Sequence, residues 1–152
     1  MITIIPANSD HAGAIHTIET ASFSDPWSIA SISAEIARPN SVFLIAISEN
    51  IVVGYVSMRH IIDEGHISNI AVTKAYRQKG VGSLLIDALI KESKRHGITG
   101  LTLEVRVSNH AALHLYKKHE FAIEGYRKNY YTLPTEDAAI MWLNIKKPWG
   151  EI

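Results

Sequence analysis

The stretch from Ile70 to Gly97 constrains the fold most. Ile70-Ala71-Val72 is apolar and reads as the end of a strand. A basic turn with Arg77, Lys79, Gly80 and Gly82 follows. Gly82 to His96 then carries Leu84, Leu85, Ala88 and Leu89 as one stripe, with Lys91, Lys94 and Arg95 in the last turns and Gly97 as the stop. A strand, a glycine turn and an amphipathic helix in this order pack a helix onto a sheet. The first amides of such a helix face outward with the positive end of its dipole behind them, which suits an anion. The turn lacks the Gly-Lys-Ser/Thr of a nucleotide phosphate loop and the Gly-x-Gly-x-x-Gly of a dinucleotide site. An ordinary glycine turn is the competing reading.

The flanking segments extend this unit. Ile2 to Ile5 is a short strand stopped by Pro6, and His11 to Ala21 is a helix with Asn8-Ser9-Asp10 as cap candidates. The loop Ser22 to Ser28 leads into a second helix ending near Arg38-Pro39-Asn40. Ser41 to Ser48 and Ile51 to Ile61 form a hairpin around Glu49-Asn50. Asp63-Glu64-Gly65 turns into the strand His66 to Val72. Leu101 to Val107 is a buried strand, Ser108-Asn109 caps a helix through Lys118, and Ala122 to Lys128 and Ala138 to Ile145 are the last strands. The expected order is βααβββαβαββ, an α/β (α+β) fold with a mixed sheet and helices on both faces. No repeat or linker divides the chain, so a single domain over 1–152 is expected.

Composition removes several functions. With no cysteine among 152 residues, thiolate metal sites and cysteine nucleophiles are excluded. No histidine pair forms an HExxH motif, so no metal is expected; His110, His114 and His119 fall on a basic, surface helix. No apolar run, Val42 to Ile47 included, comes near the roughly 20 residues of a membrane span. Met1 to Pro6 has no basic start to a signal peptide, so a cytoplasmic location is expected. Residues 1–72 hold seven acids and two bases (−5), and residues 73–152 thirteen bases and eight acids (+5). That split suggests an anionic ligand on the second half. It also suggests a basic partner facing Glu19, Asp25, Glu35, Asp63 and Glu64; scattered surface charge is the plainer reading.

Arg77-Gln78-Lys79-Gly80-Val81-Gly82, after a strand ending Ile70-Ala71-Val72, resembles the acetyl-CoA motif of the GNAT acetyltransferase superfamily. The segment Leu103 to Phe121 resembles that superfamily's second block. Leu103-Glu104-Val105-Arg106, Arg127-Lys128-Asn129-Tyr130-Tyr131, Glu136-Asp137-Ala138 and the loop Phe23 to Ser28 resemble RimI-type ribosomal-protein alanine N-acetyltransferases. One departure is Glu120-Phe121 where the family has Gly-Phe, so the helix stop before Phe121 is expected to be strained or differently shaped.

The resemblance implies a GNAT fold that moves acetyl from acetyl-CoA to a protein's N-terminal amine in a ternary complex, the acceptor being a ribosomal protein. It implies no nucleic-acid or membrane partner. The backbone of Ile70, Ala71 and Val72 would bind the pantetheine arm, with the Val72 amide at the thioester oxygen. The backbone of Arg77, Gln78, Lys79, Gly80, Val81, Gly82 and Ser83 would hold the pyrophosphate, and Asn109 the pantetheine. Glu104 would be the general base, against a plain salt bridge with Arg106 or Arg127. Tyr116 would bind the cosubstrate and protonate the leaving thiolate, against a core tyrosine. Pro26, Trp27, Tyr130 and Tyr131 would flank the acceptor, against a small core under the loop. His66, sharing alternation with Ser68 and Ile70, is a candidate helper of Glu104. A small-molecule amine acetyltransferase and a non-catalytic acyl-CoA-binding module are the alternatives.

Overall fold

The computed structural model describes residues 1–145; residues 146–152 of the expected 1–152 domain lie outside the described residues. The strands are β1 (Ile2–Pro6), β2 (Ser41–Ser48), β3 (Ile51–Ile61), β4 (Glu64–Val72), β5 (Gly100–Arg106), β6 (Ala122–Tyr131) and β7 (Glu136–Asn144). The helices are α1 (Ala12–Ser22), α2 (Ile29–Ala37), α3 (Val81–Arg95) and α4 (His110–Lys118), and a 3₁₀ turn precedes each of α1 and α3. Their sequence is the expected one. The strands form one sheet ordered β1-β2-β3-β4-β5-β7-β6. β4 and β5 pair in parallel, and the other neighbours are antiparallel.

Strand β2 shows why both faces are covered. Val42, Leu44 and Ala46 enter a core with Leu85, Ile86 and Leu89 of α3, while Phe43 and Ile45 enter a second core with Ile15, Ile18 and Ile32 of α1 and α2. A strand buried on both faces reads as a continuous apolar run. The β2–β3 hairpin turns through Glu49 and Asn50, both at positive φ (50° and 66°), matching the right-handed strand twist.

Helix α4 ends in a left-handed stop. The Glu120 amide donates to Lys117 O and the Phe121 amide to Tyr116 O, while the Phe121 ring packs on Tyr116 at 5.5 Å. Glu120 sits at φ 72°, a conformation that favours glycine. The expected strain is therefore real. Glu120→Gly should stabilise the fold by about 1 kcal/mol, raising Tm by about 2–4 °C. An unchanged or lower Tm would show that the stop carries no strain.

Candidate active site

Strands β4 and β5 pair only at Glu64↔Gly100, Gly65↔Leu101 and His66↔Thr102. Beyond that point β4 carries a bulge, since Met58 pairs with Ile67 and Ser57 with Asn69, leaving Ser68 over. A bulge bends and twists its strand. The gap between the strands holds a cavity of about 700 Å³, bordered by Ile67 to Ile70 on one side and Leu103 to Arg106 on the other. Trp27, Glu104, Tyr130 and Tyr131 line it from the α1–α2 face; Asn109, Ala112 and Tyr116 line it from the α4 side. The opening thus runs through the sheet.

Leu101, Leu103 and Val105 of β5 point into the α3 core, which turns Thr102, Glu104 and Arg106 to the opposite face. The Glu104 side chain is 12% exposed and, among the described residues, pairs with no guanidinium. Its Oε1 lies 2.7 Å from His66 Nε2 and 3.5 Å from the Tyr130 hydroxyl. Arg106 pairs instead with Glu136, and Arg127 lies over the Tyr130 ring. The salt-bridge alternative for Glu104 is absent among the described residues. The bulge also corrects the expected alternation. Ile67 enters the α3 core but Ala71 the α1–α2 core, so His66 shares a face with Asn69 and Ala71 rather than with Ser68 and Ile70.

Tyr116 is 5% exposed and packs on Phe121, as the core reading has it, and it also lines the cavity. Burial, chiefly, pushes its phenol well above the ordinary tyrosine value, so it stays protonated. Asn109 also lines the cavity, but its Oδ1 accepts the Ala112 amide as the α4 cap. Its amide nitrogen is the end left for a ligand.

The basic loop expected to hold the phosphates lies outside this cavity. Ile70 borders the cavity; the Ala71 side chain is buried against α1 and α2, and Val72 packs on the α3 core. Gln78 and Gly80 are at positive φ (61° and 83°), and Gly80 precedes the first turn of α3, whose Val81, Gly82 and Ser83 amides are the free ones of a helix start. Three side chains of the loop have partners within the protein. Arg77 donates from Nε to Val72 O at 2.9 Å and from Nη2 to Ser22, bracing the loop. Lys79 lies over the Tyr76 ring. The Ser83 hydroxyl meets Lys118 and His119. Gly82 lies against Leu115, where a Cβ would come within 3.1 Å. His119 is not a surface residue: its side chain is 11% exposed and bridges to Asp87 of α3.

The side chains expected to flank an acceptor come together in part. Trp27, Tyr130 and Tyr131 line the cavity, whereas Pro26 does not. Trp27 also packs on the α1–α2 core, as the small-core alternative holds. Tyr130 and Tyr131 meet edge to face at 5.0 Å. Burial first, then the Tyr130 and Glu104 oxygens, pushes the Tyr131 phenol up to about 12. Arg106 stacks on Tyr131 and donates to Thr132 O and Pro134 O, fixing the β6–β7 turn beside the cavity.

The acidic half is less acidic at its surface than its sequence suggests. Glu19 and Glu35 are buried, at 1% and 4% exposure. Glu35 is held by Arg59 (Nη2–Oε1 2.6 Å) and Arg38. These guanidinium groups, Arg59's hydrogen bond foremost, hold its carboxyl below the usual range. Stability from a depressed carboxylate is full above its unfolded pKa, about 4.3, and drains as pH falls towards the folded one. Arg59→Met should therefore cost about 2 kcal/mol at neutral pH, between the values for exposed and buried pairs. The deficit should shrink in urea titrations as pH drops below 4.3, once Glu35 takes a proton in both proteins. A pH-independent deficit would place the cost in packing.

Residues 12–121 match the family model described as the acetyltransferase (GNAT) family. A Bacillus subtilis (strain 168) protein provisionally named a ribosomal protein bS18-alanine N-acetyltransferase is 37% identical over 88% of this chain and 89% of its own. An Escherichia coli (strain K12) protein with that name, without the qualifier, is 33% identical over 95% and 99%. The crystal structure of the ribosomal-protein-S18-alanine N-acetyltransferase from Escherichia coli superposes with a TM-score of 0.88 at 32% identity, covering 95% of this chain and 94% of that one.

Proposed function

Because the chain belongs to the acetyltransferase (GNAT) family, whose members draw on acetyl-CoA, we propose that it acetylates the N-terminal α-amine of a ribosomal protein. We place it in the cytoplasm, as a single domain acting by direct transfer. The observation that carries the chemistry is the position of Glu104 and Tyr116 on opposite sides of one through-sheet cavity.

In this reading the acceptor enters between Trp27 and the Tyr130–Tyr131 pair. Acetyl-CoA lies along the β4 edge freed by the bulge, with its pyrophosphate on the amides from Arg77 to Ser83. That edge offers backbone groups without a β5 partner, which suits the amides of a pantetheine arm. An α-amine has a pKa of about 7.7–8.0, so a useful fraction is neutral near pH 7. Glu104, oriented by His66, takes the proton that the nitrogen sheds as its bond to the thioester carbon forms. The Val72 amide steadies the oxyanion. The carbon–sulfur bond then breaks, and Tyr116 gives its proton to the departing thiolate; solvent resets both groups.

The test is a screen of N-terminal peptides differing in the first two residues, with CoA release as readout. Release with alanine-first peptides supports the proposal. Turnover confined to small amines, or CoA binding without turnover, contradicts it.

A further inference from the structure

Glu19 is the buried acid that the proposed chemistry leaves unused. It lies on α1 at 1% exposure, and no cation pairs with it among the described residues, unlike Glu35 with its two arginines. Neutral donors surround it instead. Oε1 accepts from the Tyr55 hydroxyl and, at 2.8 Å, from Asn69 Nδ2; Oε2 accepts the Trp27 backbone amide at 3.0 Å. Burying a carboxylate without a cation is costly, and a well-packed apolar side chain is often at least as stable there. The bonds therefore point to what they join. Tyr55 is on β3, Asn69 follows the bulge that opens the sheet, and Trp27 is in the α1–α2 loop. Asn69 and Trp27 line the cavity; Glu19 does not.

We propose that Glu19 is a positioning residue that pins the α1–α2 loop to the bulged strand β4 and so sets the acceptor side of the cavity. The proposal rests on the reading of Trp27 as part of the acceptor groove. A carboxylate suits the task because its two oxygens are acceptors only, whereas an amide has one. In Glu19→Gln the single oxygen can face the Trp27 amide, which can only donate. The new NH₂ then meets Tyr55 and Asn69, both able to accept after rotation. In Glu19→Ala all three donors lose their partner.

The experiment combines amide hydrogen exchange with initial rates on an alanine-first peptide, using the full chain. In the wild type the Trp27 amide should exchange at least 100-fold more slowly than in an unstructured peptide. Glu19→Ala should speed that exchange at least ten-fold and raise the peptide KM at least ten-fold, with the acetyl-CoA KM within two-fold. Glu19→Gln should stay within three-fold of wild type in all three. An unprotected Trp27 amide in the wild type overturns the proposal, whether or not Glu19→Ala folds. So does a Glu19→Ala protein in which both KM values rise alike, or neither does. Absence of wild-type turnover would count against the acceptor reading alone, and the exchange data would still decide the role of Glu19.

Discussion

Glu104→Gln should lower kcat by about 10²–10³-fold near pH 7, the range for loss of a positioned general base. Glutamine keeps the shape of the side chain and a hydrogen bond to His66 but cannot take a proton. The acetyl-CoA KM should hardly move, because the loop proposed to hold the pyrophosphate lies outside this cavity. The loss should shrink as pH rises past about 8, where the amine is already neutral. His66→Ala should cost less, since His66 orients Glu104 and is itself half exposed. A Glu104→Gln enzyme whose pH–rate profile parallels the wild type would make Glu104 structural.

Tyr116→Phe should lower kcat by about 10–100-fold without weakening acetyl-CoA binding. The effect is smaller than at Glu104 because a thiolate is a tolerable leaving group; a thiol pKa of about 8.5 lets part of it depart unprotonated. Burial keeps the Tyr116 phenol protonated throughout the assay range, so the wild-type profile should show no alkaline limb from this group. No hydrogen bond holds its hydroxyl among the described residues, so the variant should fold with an unchanged Tm. Wild-type turnover in that protein would return Tyr116 to the core.

The order of elements was legible because its signals are local. Glu49-Asn50 suits a left-handed hairpin turn, Asn109 caps α4, and Gly97 stops α3. Both faces of β2 read as apolar because both are buried. What stayed hidden depends on residues far apart in the chain. Glu19 looks like a surface acid after Ile18, yet its partners Tyr55 and Asn69 lie 36 and 50 residues away. The pairing of Glu104 with His66, 38 residues apart, requires the β4–β5 register and the bulge at Ser68. The charge of Arg77 is visible in the sequence, but its bond to Val72 O is not. β7 inserts between β5 and β6, an order that no local pattern encodes.

In the proposed reaction acetyl passes directly to a protein α-amine within one ternary complex. Tandem mass spectrometry of an alanine-first peptide with lysines downstream tests it most directly, with CoA release measured in parallel. One acetyl group should appear per CoA released, all of it on the α-amine, and no acetylated protein when the peptide is withheld. Acetyl groups on the lysine side chains with a free α-amine, or an acetylated enzyme residue trapped without peptide, would contradict it.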